Sequence, residues 1–301
     1  KERKLIMGKD SSQEMRRTQA EKMLKQPKKL RAKWISRLFT LIMVAALSVA
    51  TMGLLIKTTV LNADFTSKEL AKDENIGKLY TEANQTLASS AQMYRIPASY
   101  ADSLITKKQF RQDVEIAIKR IYDGQVTQIV DTNTLSSQIQ TNVNKEIASS
   151  GLPVDASVFS GVVESLASVL NNYISQQIPS TQLQQVYDAA SNISGYVTLM
   201  ITAGSIITVV MLILVLLLQR SLFGWLHYTG LAFLITGIIF CIIGYTSVPA
   251  EIFPSLINQS GILGSIVENY AHAILSQIVN MGIIESIIGI VALLVSFFRK
   301  V

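Results

Sequence analysis

The carboxyl-terminal stretch Asn280–Val301 reads NMGIIESIIGIVALLVSFFRKV. It has the look of a membrane span closed by a basic stop signal, Arg299 and Lys300, yet it carries a glutamate, Glu285. From Ser286 to Phe298 the uncharged run is 13 residues. A helix of that length covers only about 20 Å, short of a hydrocarbon core of about 30 Å. The span must therefore begin near Ile278 and take Glu285 in, about 9 Å below its outer boundary. A carboxylate at that depth costs a few kcal/mol unless it faces protein or water or is protonated. Helical spacing points to protein. Glu285, Gly289, Ala292 and Ser296 recur at 4, 3 and 4 and share one face, and all but the glutamate are small.

Three further runs of the same kind precede it. Leu38–Ile56, LFTLIMVAALSVATMGLLI, is 19 uncharged residues between Arg37 and Lys57, enough for about 28 Å. It is too long for the apolar part of a cleaved signal peptide and reads as a retained anchor. No charge lies between Asp188 and Arg220, or between Arg220 and Glu251. The expected fold is thus an all-α membrane protein: four transmembrane helices at residues 37–58, 193–219, 222–247 and 278–298, with an extracytoplasmic helical bundle, 59–192, inserted between helices 1 and 2. Residues 248–277 form a second outer segment, a linker with an amphipathic helix. Residues 1–36 are a basic tail, and 299–301 a short cytoplasmic end.

Charge fixes the expected orientation. Charged residues are 16% of the chain, against about 25% in soluble domains. Residues 1–38 hold 13 Lys/Arg against four acids, a net of +9, whereas 57–192 hold 11 against 14, a net of −3. The overall +6 therefore belongs to one tail and not to a basic surface for nucleic acid. Basic residues stay on the cytoplasmic side of a membrane. That places both termini and Arg220 inside a plasma (cytoplasmic) membrane, and 59–192 outside. Arg16, Arg17, Lys28, Lys29, Arg31, Lys33 and Arg37 are the expected contacts to anionic lipid, worth about 1 kcal/mol per basic residue at the surface.

Span three carries a small-residue stripe, Gly230, Gly237, Cys241 and Gly244, that matches the Gly289–Ala292–Ser296 face of span four. Small residues let helices approach closely in lipid, so spans three and four are expected to pack along these stripes. Span two presents Thr198, Thr202 and Ser205 on one side. Thr202 lies at about the depth of Glu285. The expected state is a protonated Glu285 hydrogen-bonded to Thr202 or Tyr245, or one that snorkels outward. An ion- or proton-linked site, or a docking carboxylate for a partner's basic residue, is the functional alternative.

The region 62–192 has helical periodicity throughout. One stripe runs Ile76, Leu79, Tyr80, Ala83, Leu87, Ala91, Tyr94 and stops at Ile96-Pro97. Thr106-Lys-Lys-Gln109 is a capping box that opens a helix with Phe110, Val114, Ile118 and Ile121 inward, and Asp123-Gly124 turns the chain. Leu135, Ile139, Val143 and Ile147 follow, closed by Gly151-Leu-Pro153. Val158, Val162, Leu166, Val169, Tyr173 and Ile174 line the next helix, which Pro179 breaks. The helix restarting at Thr181-Gln-Leu-Gln184 runs on into span two. Pro249, Pro254 and Gly261 mark a link before an amphipathic helix (Leu263, Ile266, Val267, Tyr270, Ile274, Ile278), which lies on the outer leaflet or packs under the helical domain.

Residues 59–192 contain neither His nor Cys, which rules out a His-dependent triad, a Cys nucleophile or a His/Cys zinc site there. The one cysteine, Cys241, allows no intrachain disulfide, which favours a bacterial envelope over a eukaryotic secretory route. Glu268 and His272 sit four apart, but two ligands do not make a metal site. The chain is therefore expected to be no enzyme, with no cofactor, no metal and no specific nucleic acid. The expected role is a scaffold or accessory subunit that binds a protein partner, or a further copy of itself. An extracytoplasmic sensor, or a small transporter or channel using Glu285, are the alternatives. In layout (basic tail, span, helical domain, then three spans with the Arg-bearing link before SLFGWLHYTGLAFLITG, Ser221–Gly237) the chain resembles uncharacterised four-span envelope proteins of Gram-positive bacteria. That resemblance implies a topology and no activity.

The orientation has a direct test. In a Cys241→Ser background, a Ser149→Cys variant is expected to react with an impermeant maleimide in intact cells. A Thr18→Cys variant is expected to react only after lysis.

Overall fold

The computed structural model describes residues 34–94, 104–127, 129–150, 160–177, 180–247 and 261–298. Every regular element among them is helical: α1 (Trp34–Thr58), α2 (Ala63–Leu70), α3 (Asp73–Met93), α4 (Lys107–Tyr122), α5 (Thr132–Ser150), α6 (Ser160–Gln177), α7 (Ser180–Gln219), α8 (Leu222–Thr246) and α9 (Gly261–Phe297). α1, α7, α8 and α9 are long and apolar enough to cross a membrane. The chain divides into two compact units. One takes 1–53, 199–245 and 278–301, the other 54–198 and 246–277.

The second unit is a helical domain whose boundaries are set by local chemistry. Asn62 Oδ1 accepts the Phe65 amide at 3.0 Å and starts α2. The Thr106–Gln109 capping box is formed in both directions, Thr106 Oγ1 accepting the Gln109 amide at 3.2 Å and Gln109 Oε1 accepting the Thr106 amide at 2.9 Å. Asp131 Oδ1 accepts the amides of Asn133 and Thr134 at 3.1 and 3.2 Å. Those donors, with Arg120, hold its carboxyl below the usual range. Gly124 makes the turn after α4 at φ +79°, a left-handed conformation that glycine adopts freely, and the ring of Tyr187 lies where a side chain would start.

These helices close over an aliphatic core. Ile76, Ala83, Leu87 and Ala91 of α3 meet Phe110 of α4, Leu135, Ile139 and Val143 of α5, and Val163, Leu166, Ala167 and Leu170 of α6. The α6 register differs from expectation. Val162 and Val169 are only half-buried, while Val163, Ala167 and Leu170 are inside. Adjacent Val162-Val163 and Val169-Leu170 satisfy helical spacing on either of two faces, and packing against α3 and α5 selects one. Tyr94, placed on the α3 stripe, is 46% exposed. Val158 and the breakers Ile96-Pro97, Gly151-Leu-Pro153, Pro179, Pro249 and Pro254 lie outside the described residues.

Of the two alternatives for residues 261–277, packing on the helical domain is what occurs. Tyr270 Oη meets Thr66 Oγ1 at 2.9 Å, and Thr66 Oγ1 meets Tyr122 Oη at 2.8 Å. Asn269 donates to Asn75 Oδ1 at 2.8 Å. Burial pushes the Tyr122 hydroxyl up in pKa, so this cluster stays neutral and hydrogen-bonded at ordinary pH. α2 is only eight residues long, and Thr66 and Tyr122 lie on none of the apolar stripes of the sequence.

In the first unit α1 touches each of the other three long helices. Gly204 of α7 packs on Ala46 and Ala50, and Gly53 packs on Met200 and Ile201. Met43 and Val44 form a small core with Ala232 of α8, against Met211 and Leu212. α7 and α8 are joined by Arg220 and Ser221 alone. Arg220 sits at φ 47°, a strained value for a side-chain-bearing residue. Trp225 fixes the corner, its indole N–H donating to Leu212 O at 2.9 Å.

Burial gives the helical domain a titratable weak point. The Asp113 carboxyl is raised in pKa by desolvation, against a hydrogen bond from Gln138 at 3.0 Å. A carboxyl raised in the folded state binds its proton more tightly there than when unfolded. Its contribution to stability is thus full at acid pH and lost as pH rises through the folded value. Asp113→Asn keeps the acceptor for Gln138 without the charge. It is expected to raise the denaturation midpoint at pH 7, with the gain disappearing near pH 4, in urea titrations of the whole protein at both pH values.

Candidate functional site

The candidate site is the one buried carboxyl of the membrane-type helices. Glu285 is 7% exposed. Its position follows from how α8 and α9 pack. Among the described residues, a Cβ on Gly237 would lie 2.5 Å from the Gly282 carbonyl oxygen and from the Ser286 amide. One on Gly289 would lie 2.5 Å from the Leu234 amide, and one on Gly230 would lie 2.9 Å from Ala292 Cβ. Gly282 in turn fits against Cys241. No residue larger than glycine fits at these crossings without moving backbone, so the two helices are in main-chain contact. Gly230, Gly237, Cys241, Gly289 and Ala292 are all at this seam, with Gly282 and Ser286, which lie outside the Glu285–Gly289–Ala292–Ser296 stripe. Gly244 is half-buried farther along α8. Ser296 is half-buried and donates to Leu293 O at 2.6 Å, within its own helix.

Glu285 lies one residue before Ser286 on α9 and turns toward α1. Thr51 Oγ1 donates to Glu285 Oε1 at 2.5 Å. Oε2 is shut off from solvent and has no hydrogen-bonding partner. The expected partners are replaced. Thr202 and Ser205 are on the exposed side of α7, because Gly204 and Thr208 form its buried side. Tyr245 is 75% exposed. Depth alone matched Thr202 to Glu285; rotation about the helix axis decided against it. Thr51 is one of several scattered hydroxyls in the first apolar run, with Thr40 and Ser48, and no stripe marks it in the sequence. Two other buried hydroxyls of this unit, Thr229 and Thr236 of α8, have no hydrogen-bonding partner.

The remaining expected residues are scattered. His227 is exposed on α8 and meets the Phe297 ring edge-on, with centroids 6.2 Å apart. Arg37 is exposed on α1. Arg16, Arg17, Lys28, Lys29, Arg31 and Lys33 lie outside the described residues. Among those described, no three His, Cys, Asp or Glu side chains converge as a metal site would need.

These features define an all-helical protein with four helices long and apolar enough to span a membrane, and a second, helical domain. No protein-family model, curated protein or solved structure matches the chain.

The α8–α9 seam is testable with a matched pair of variants. Gly237→Ala forces a methyl into main-chain contact and is expected to destabilise by about 1–3 kcal/mol. Gly195→Ala, on α7 with nothing within 4 Å of the added carbon, is expected to be neutral or slightly stabilising. Thermal unfolding in detergent, followed by the rise in reactivity of the half-buried Cys241 thiol, distinguishes the two.

Proposed function

We propose that this protein is a non-enzymatic scaffold or accessory subunit of a bacterial cell envelope. In this reading α1, α7, α8 and α9 hold it in the cytoplasmic membrane, with both termini inside. The chain between the first two spans is the extracytoplasmic domain that binds a partner protein. The basic tail rests on anionic lipid.

The observation that carries the reading is the first half of α7. Between Ser180 and Thr198 only Leu183 and Val197 are buried. Val186, Ala189, Ile193 and Tyr196 follow at 3, 4 and 3 along one face, the first two before the span that starts at residue 193 and the last two at its outer end, with Val186 61% and Tyr196 71% exposed. Apolar side chains at this spacing are the anchors by which one amphipathic helix lies against another. The partner class that fits is therefore an apolar helix face of another envelope protein. The rest of the domain supplies a rigid aliphatic core and a surface of Gln, Asn and Ser, which holds that helix out without offering a reactive group.

Purification from native membranes in mild detergent, with mass spectrometry of co-purifying proteins, tests this. The expected outcome is a stoichiometric partner that is lost from a Val186→Glu/Ile193→Glu variant still present at normal abundance. A homo-oligomer with nothing else attached, or a partner retained by the variant, overturns it.

A further inference from the structure

We propose that Thr51 and Glu285 form a closed proton site, in which Glu285 is held as the neutral carboxylic acid and joins α1 to α9. The ligand is fixed by what the geometry admits. Oε1 accepts a hydrogen bond from Thr51 Oγ1 at 2.5 Å. Oε2 is shut off from solvent and has no hydrogen-bonding partner. An ionised carboxylate needs several donors or a counter-charge to offset the loss of water. Here it would have one hydroxyl.

Among the described residues of this unit, no cation is in position to supply the charge. α1 faces the carboxyl with Thr51. Its basic residue Arg37 lies 14 residues away, about 21 Å along the axis. Lys57, six residues on from Thr51, is exposed. From α8 the nearest titratable group on the packed seam is Cys241, whose thiol is directed at Val279 O, 4.0 Å away. His227 sits at the other end of α8, against Phe297. α7 carries no charge between Asp188 and Arg220, which closes its far end. None of the ion pairs among the described residues involves Glu285.

The same closure excludes larger occupants. A sodium ion needs several oxygen ligands and room for itself, and a partner's lysine or arginine needs an open path; an oxygen that water cannot touch offers neither. A proton needs only the oxygen. On Oε2 it converts a buried full charge into one neutral O–H, while Oε1 remains the acceptor for Thr51. Release of that proton would leave an anion with a single donor. The α1–α9 contact is thus conditional on the proton, and the site opens only if the two helices part.

Difference infrared spectroscopy of the full-length protein in lipid vesicles reads this state directly. Wild type minus Glu285→Gln is expected to show the carbonyl stretch of a protonated carboxyl from about pH 5 to about pH 9, beyond the range of an ordinary glutamate. That band is expected to shift only slowly after transfer to D2O. Thr51→Val removes the hydrogen bond to Oε1 and is expected to move the band to higher frequency without abolishing it. A carboxylate band at neutral pH, immediate exchange, or a band indifferent to Thr51→Val overturns the proposal. Should Glu285→Gln fail to fold, carbon-13 carboxyl resonances of glutamate-labelled wild type and Thr51→Val decide the same question. A neutral-acid resonance that moves with Thr51→Val supports the site, and its absence refutes it.

Discussion

Main-chain contact between α8 and α9 is the constraint from which the rest of the membrane-type unit follows. Hydrophobic burial gives helices little reason to associate in lipid, since lipid tails are as apolar as leucine. Close approach, with its sum of small dispersion contacts, supplies the reason instead. Gly230 and Gly237 on one helix and Gly282 and Gly289 on the other bring the two backbones together. Once they have met, the rotation of α9 is fixed. Glu285, between Gly282 and Gly289 on nearly the same face, cannot escape to the surface. It is directed toward α1, where Thr51 is the group that receives it. Small residues at the crossing thus determine where the most costly side chain of the unit ends up.

α1 pairs with α7 by the same means at two levels, Gly204 against Ala46 and Ala50, and Gly53 against Met200 and Ile201. Farther along, α1 meets α8 and α7 together in a small apolar core of Met43, Val44 and Ala232, with Met211 and Leu212 against it. The polar groups inside this unit are almost all hydroxyls. Thr40 and Thr208 donate back to the carbonyls four residues earlier in their own helices, at 2.8 Å each. That is how a helix in an apolar medium keeps a hydroxyl satisfied without a partner. Thr51 is different, since its proton goes across to another helix.

The helical domain works by the opposite physics. Its core is held by burial of Ile, Leu and Val, and its ends by caps: Asn62, the Thr106–Gln109 box and Asp131. Residues 261–277 are attached to it by polar contacts, through Tyr270, Thr66, Tyr122, Asn75 and Asn269. A hydrogen-bonded attachment is specific in register but contributes only about 1 kcal/mol per bond. Apolar packing of Phe65 on Tyr270, with ring centroids 6.2 Å apart, adds to it.

The sequence by itself determined the helical class, the four apolar helices and the α4 cap, along with the small-residue stripes on α8 and α9. Each is a local property: an uncharged run of fixed length, a Thr-x-x-Gln spacing, or a repeat of small side chains at helical period. Periodicity says which residues share a face. It does not say which face of which neighbour they meet. Only the tertiary structure chose Thr51 over Thr202 for Glu285, because two hydroxyls at equal depth differ only in rotation about their own helices. The choice of Val163 and Leu170 over Val162 and Val169 in α6 has the same cause, since adjacent apolar residues leave the face undetermined until a neighbour packs on it. The Thr66–Tyr122–Tyr270 cluster joins residues up to 204 positions apart, and no local pattern encodes a meeting at that distance.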